Sequence, residues 1–144
     1  MSNIQLDQDD VSNLALCAWK EARGDGDEAM QAVMHVIFNR VGAVGFPRTI
    51  HDVIYQKNAF TSMSVSSDPE YNLKPLDGDP QYAYCIEIAN AIQSDPDVTN
   101  GAHYYENEAT ATSGWFGRVI AGPDGQGTTE HPLVASIGHQ VFFT

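Results

Sequence analysis

The sequence predicts a mainly α domain of the α+β class, a single unit over residues 1–144 whose carboxyl-terminal part is irregular. Three observations predict it. The 144 residues suffice for one core but not two, since a domain of about 150 residues already buries roughly 70% of its unfolded surface. Helical spacing of apolar residues runs through the first two thirds of the chain. Beyond Pro96 that spacing gives way to glycine and aromatic residues without a sustained period.

The first helix is predicted over Asp9 to Arg23, with acidic residues in its opening turn and Leu14, Cys17, Ala18 and Glu21 on one face. Gly24 and Gly26 should end it, glycine being the residue that adopts a left-handed C-cap at little cost. Asp27 reads as the N-cap of a second helix, in which Met30, Val33, Met34, Ile37, Phe38 and Val41 recur until Gly42. A short helix is expected from Thr49 to about Gln56. Ala59 to Asp79, rich in serine and interrupted by Pro69 and Pro75, reads as a long surface loop. Asp79 followed by Pro80 then opens a further helix carrying Tyr84, Cys85, Ile88, Ala89 and Ile92. Strand signals are weak: Gly101 to Tyr105 reads as extended, and Ile137 to Phe143 as an aromatic terminus that packs back on the core.

Charge narrows the functional classes. The net charge is −12 with only seven Lys and Arg, which argues against nucleic acid, because binding there depends on basic residues neutralising phosphates. No apolar run approaches the roughly 20 residues needed to span a bilayer. The segment Met1 to Asp10 is polar and acidic, without the basic start and apolar stretch of a secretory signal. Cys17 and Cys85 fall in helical apolar patterns and are expected to be reduced. No cofactor is implied, and a monomer is expected.

Glu21 is the first candidate for chemistry. A carboxylate on the apolar face of a helix end is desolvated, which favours its neutral form and suits it to donate a proton. Periodicity leaves a second reading open, a helix-end network with Lys20 or Arg23. Metal chemistry is disfavoured, because His35, His51, His103, His131 and His139 match no zinc spacing.

The block Glu21-Ala22-Arg23-Gly24, followed by Gln31 to Val41 reading QAVMHVIFNRV, resembles the SleB-type cell-wall hydrolases known from spore-cortex-lytic enzymes. The likeness continues at Phe46 to Ile50, Val53 to Gln56, Phe60-Thr61, Gly101 to Tyr105 and Ile137-Gly138, and so covers nearly the whole chain. The resemblance implies a lysozyme-like, lytic-transglycosylase-like fold, peptidoglycan glycan strands as the partner, and cleavage between N-acetylmuramic acid and N-acetylglucosamine. It also implies that Glu21 is the catalytic acid. Two positions depart from the pattern: Asp25 stands where a second Glu is usual, and Gln140 where a histidine is common, with His139 one place early.

Hydrolysing glycosidases pair two carboxylates about 5–5.5 Å apart for retention or about 6.5–9.5 Å for inversion. Asp25, Asp27 and Glu28 read as loop and capping residues, while Glu106 and Glu108 lie in the aromatic segment and could face either way. A lytic transglycosylase dispenses with the partner, because the muramoyl 6-hydroxyl itself attacks the anomeric carbon and one Glu serves first as acid, then as base. Muramidase-type hydrolysis and non-catalytic binding of peptidoglycan are the alternatives. Sugar contacts are expected from Gln56, Phe60, Tyr104, Tyr105, Asn107 and Trp115, which supply amide and aromatic groups in loop-like segments. Asn39 and Arg40, at a helix end, are expected to satisfy carbonyls or brace the Glu21 loop. A chain made in the cytoplasm without a signal would act on the wall after release, as a phage endolysin does, or from a virion.

Overall fold

Two adjacent helices that bury most of their surface form the centre of the molecule, described here from a computed structural model over residues 5–144. The first four residues of the polar amino-terminal segment lie outside that range. Helix α1 (Gln8–Ala22) opens one residue before the predicted start. Asp7 is its N-cap: the Asp10 amide donates to Asp7 Oδ1 (2.8 Å) and the Asp7 amide to Asp10 Oδ2 (3.1 Å). This reciprocal box satisfies two donors that a helix start otherwise leaves open.

After α1 the chain makes one 3₁₀ turn, Arg23–Asp25, and enters α2 (Asp27–Arg40). The N-cap of α2 is Gly26, at φ 97°, and Asp27 is the first helical residue rather than the cap. Gly24 is not left-handed; of the two glycines after α1, Gly26 takes the positive φ that favours glycine, and it does so to join two helices through a one-turn connection. Ala29, Met30 and the run Ala32–Ile37 are all buried in α2. Helix α1 packs against α2, α3 (Ile50–Ile54), α4 (Thr61–Ser64) and α5 (Pro80–Asn90). The expected cap of α5 is present, Asp79 Oδ1 accepting from Tyr82 N at 2.9 Å; Thr49, expected as the first residue of its helix, instead caps α3, its Oγ1 accepting from Asp52 N at 3.0 Å. Within the stretch read as a loop, the single turn of α4 carries Ser62 and Met63 inward.

The carboxyl-terminal part is more regular than the sequence suggests. Three antiparallel strands, β1 (Tyr104–Asn107), β2 (Leu133–Ile137) and β3 (Gln140–Phe143), form a sheet in the order β1-β3-β2. Tyr104 pairs with Phe143 and Tyr105 with Phe142, while β2 reaches β3 through a bulge between Leu133 and Ala135. Alternation along β3 divides the aromatic terminus. Phe142 enters the helical core, whereas Phe143 enters a smaller cluster with Ala111, Ile120 and Ala121. A short wing covers that second face: α6 (Gly114–Phe116) and a π turn, Gly117–Ala121. At Gly117 a Cβ would stand 2.1 Å from the Thr112 carbonyl oxygen, so only glycine lets the wing close on itself.

Candidate active site

Glu21 lies in the last turn of α1, half-buried, and lines a cleft of about 320 Å³ with Arg40, Asn58, Ala59, Phe60, Thr61, Tyr105 and Glu106. Two hydroxyls hold its carboxyl group. Ser62 Oγ donates to Oε2 at 2.7 Å and Tyr105 OH to Oε1 at 2.8 Å. A hydroxyl can donate to a carboxylate or accept from a carboxylic acid, so this pair can orient Glu21 in either protonation state.

The two cations beside Glu21 in sequence are engaged elsewhere. Lys20 is buried, and its Nζ donates to the carbonyls of Ser62 (3.1 Å) and Tyr71 (2.8 Å). Arg23 forms an ion pair with Glu70 at 2.5 Å and lies over the Trp19 ring. Among the described residues Glu21 forms no ion pair. The helix-end network is therefore real, but its cations hold the polar stretch after α4 in place and leave the Glu21 carboxyl to the cleft. Lys20 holds the backbone of the same Ser62 whose side chain reaches Glu21.

Tyr105 owes its position to α2. Gln31, His35 and Asn39 stand at i, i+4 and i+8, and each bonds the segment that leads into β1. Gln31 Nε2 donates to Asp95 Oδ2 (2.7 Å), and His35 Nε2 meets the same oxygen at 2.6 Å. Asn39 Nδ2 donates to Asp97 Oδ2 (2.9 Å) and to the Ala102 carbonyl (3.1 Å). Asp97 also accepts from Thr99 N, Thr99 Oγ1 and Gly101 N. Burial pushes the Asp97 carboxyl up, but these donors, the Thr99 hydroxyl and Asn39 foremost, outweigh it and hold Asp97 below its ordinary value. One residue on, Arg40 Nε donates to the His103 carbonyl at 2.7 Å. The expectation that Asn39 and Arg40 satisfy carbonyls agrees with this arrangement.

From that clamp β1 presents its tyrosines to opposite faces. Tyr105 stacks on Phe142 (5.7 Å between centroids) and points its hydroxyl at Glu21. Burial first, then the charge of Glu21, pushes its phenol well above the ordinary tyrosine value, which favours the protonated, donating form. Tyr104 faces the other way, against Phe46 and His131.

The remaining sequence-predicted contacts are dispersed. Phe60 lines the cleft, but it is 1% exposed and its ring lies against Arg40. Gln56, Tyr104, Asn107 and Trp115 are not among the residues lining the cleft. Asn107 accepts from the Ala109 amide in the turn after β1 (2.9 Å). Trp115 is 55% exposed on α6. Glu106 does line the cleft, although its Oε1 accepts from the neighbouring Asn107 amide at 2.9 Å. Among the described residues no three His, Cys, Asp or Glu are grouped to hold a metal ion, and Cys17 and Cys85 are free and buried. The two positions that depart from the family pattern meet: Gln140 Nε2 donates to Asp25 Oδ2 at 3.1 Å, which ties β3 to the turn after Glu21. His139 is exposed, 3.4 Å from Glu108.

Sequence reasoning missed Ser62 and the cleft position of Arg40. Ser62 is 41 residues from Glu21, and nothing local to it marks the contact. The Asp97 turn was findable, because Asp97-Val98-Thr99-Asn100-Gly101 has the composition of a side-chain-capped turn.

Comparison with known proteins agrees with the geometry. The profile of the Cell Wall Hydrolase family matches residues 24–124, starting just after Glu21. A spore cortex-lytic enzyme of Oceanobacillus iheyensis is 37% identical over 109 residues, 76% of this chain and 36% of the relative; one from Bacillus subtilis is 32% identical over 107 residues. This chain thus spans about a third of the length of the curated relatives it matches. The catalytic domain of the germination-specific lytic transglycosylase SleB from Bacillus anthracis superposes with a TM-score of 0.71 at 29% identity, covering 99% of this chain and 100% of that one. The SleB catalytic domain from Bacillus cereus gives 0.70 at 28%, covering 99% and 94%. With its mixed α+β fold and the family match over more than half its length, the chain belongs to the cell wall hydrolase family, close to the SleB spore cortex-lytic enzymes.

Proposed function

We propose that this chain is a single catalytic domain over residues 1–144 that cleaves peptidoglycan glycan strands between N-acetylmuramic acid and N-acetylglucosamine. Glu21 is its one acid and base, and the products carry 1,6-anhydromuramoyl ends. One observation carries the reading: a carboxyl group that has no cationic partner among the described residues is held by two hydroxyls in a cleft. Similarity to the SleB catalytic domains supports it, and the site of action follows from the substrate, at the cell wall.

In the proposed sequence Glu21 begins protonated and gives its proton to the glycosidic oxygen as the bond from that oxygen to muramoyl C1 breaks. The glucosamine side leaves as a 4-hydroxyl. The carboxylate then removes the proton from the muramoyl 6-hydroxyl while O6 bonds to C1, closing the anhydro ring and returning Glu21 to its acid form. No water enters the balance. Ser62 and Tyr105 keep the carboxyl in one pose through both transfers.

Tyr105→Phe keeps the ring and its stacking on Phe142 but removes the donor. A hydrogen bond to a charged group is worth about 1.5–3 kcal/mol, so kcat is expected to fall by about tenfold or more with KM and melting temperature little changed. Steady-state kinetics on soluble glycan checks this; a raised KM with unchanged kcat would instead make Tyr105 a sugar contact. A specific observation keeps a second reading in view, since Glu106 lines the same cleft and is the partner that muramidase-type hydrolysis would use.

Digestion of purified sacculi tests the bond class. Turbidity should fall with no increase in free amino groups. New amino groups on intact glycan would mean that peptide bonds are cut and would overturn the proposal.

A further inference from the structure

We infer that Arg40 binds a carboxylate on the lactyl arm of the muramoyl residue and so sets which sugar occupies which side of the scissile bond; this rests on the glycan-cleaving reading above. Among the described residues six of the seven Lys and Arg lack a carboxylate within 4.0 Å, and what sets Arg40 apart from the others is its place in the cleft. Arg23 has Glu70, and Lys20 has two carbonyls. Arg40 lines the same cleft as Glu21 and has neither arrangement complete.

Its Nε donates to the His103 carbonyl at 2.7 Å, which fixes the plane of the guanidinium. Three rings surround it, Phe46 at 5.1 Å, Phe60 at 5.5 Å and Tyr104 at 5.7 Å. Among the described residues no carboxylate comes within 4.0 Å, and its two terminal nitrogens have no hydrogen-bond partner. Desolvating a cation is costly unless it is paired, and aromatic faces offset only part of that cost. What remains is a flat two-donor fork at the cleft, the geometry that binds a carboxylate bidentately.

Only the muramoyl sugar of the strand offers such a group. Its lactyl arm ends in a carboxylate where the peptide is absent and in the carboxylates of the stem peptide where it is present; N-acetylglucosamine has none. A guanidinium lining the same cleft as Glu21 would therefore hold the muramoyl residue in the position where its C1 faces the acid.

Four substrates test this: peptide-bearing wall and bare glycan, each native and with its carboxylates amidated. Co-sedimentation or retention measures binding, and end-group release measures cleavage. Wild-type protein should bind a native form about tenfold more tightly than its amidated counterpart. In Arg40→Gln that ratio should fall to near one, even though loss of the His103 bond weakens both forms alike, and Arg40→Lys should keep part of the preference. A preference confined to bare glycan assigns the lactyl carboxylate, and one confined to the peptide-bearing wall assigns the stem. Equal wild-type binding to native and amidated forms of both substrates overturns the inference, as does an Arg40→Gln ratio equal to that of wild type. If the variants do not fold, salt decides on wild type alone: the preference should shrink as ionic strength rises, and a salt-independent preference contradicts a charge contact. Preferential binding without release of glycan ends would overturn the cleavage reading and leave the Arg40 assignment standing.

Discussion

Glu21→Gln is expected to reduce the release of glycan ends from sacculi by at least about a thousandfold, within the roughly 10²–10⁴-fold that a positioned acid supplies and applied here to both proton transfers. The amide is isosteric and can still meet the hydroxyls of Ser62 and Tyr105, so the melting temperature should move by no more than about 2 °C, as expected where packing and hydrogen bonding are kept. Binding to the wall should persist. The companion variant Glu106→Gln should keep more than about a fifth of wild-type activity, because a side chain whose oxygen already accepts from Asn107 would contribute under about 1 kcal/mol. Turbidity loss and end-group counts on the same sacculi read both. Comparable losses in the two variants would point to a carboxylate pair and to hydrolysis.

Asp97→Ala is expected to be the most damaging substitution outside the cleft. It strands the donors Asn39 Nδ2, Thr99 N, Thr99 Oγ1 and Gly101 N, and leaving partly buried donors without acceptors costs about 2 kcal/mol. For a chain of this size that is a fall of about 6–8 °C in melting temperature. Activity should fall about tenfold well below that temperature, because the turn sets the start of β1 and hence the reach of Tyr105 to Glu21, the effect being comparable with losing the Tyr105 bond itself. Asp97 also fixes a pH dependence. Its value is held below the unfolded carboxylate value of about 3.9, so its stabilising contribution is complete above that pH and is lost as pH falls through the lower, folded value. Melts of wild type and Asp97→Ala between pH 7 and pH 3 should converge toward the acid end; a gap that widens on acidification would mean that Asp97 does not act through its charge.

Much of the helical framework was legible because its signals are local. Asp79-Pro80 marks the start of α5, and the spacing of Met30, Val33, Met34 and Ile37 marks the buried face of α2. The start of α2 was misplaced by one residue because Asp27 has the composition of a cap, while the actual cap, Gly26, is chosen for its positive φ. The sheet was harder to read. Its strands are four or five residues long, β2 is bulged, and Tyr104 finds Phe143 across most of the carboxyl-terminal third, so a period of two has no room to establish itself.

The site divides along the same line. Glu21 is nominated by the residues around it, and Tyr105 by the extended double-tyrosine segment, in which neighbours face opposite ways. Ser62, Arg40 and the Asp97 clamp are brought to the cleft or its supports only through packing, since the segments they join lie 41 to 63 residues apart. Trp115 looked suitable by type, but α6 turns with the wing on the far face of the sheet from Tyr105.

Mass spectrometry of the glycan ends released by wild-type protein from purified peptidoglycan, in water enriched in heavy oxygen, bears most directly on the central claim that one carboxyl group performs both proton transfers. The mechanism predicts 1,6-anhydromuramoyl ends, one water lighter than reducing ends and free of solvent oxygen. Reducing muramoyl ends carrying the heavy label would contradict it and would require a second carboxylate opposite Glu21.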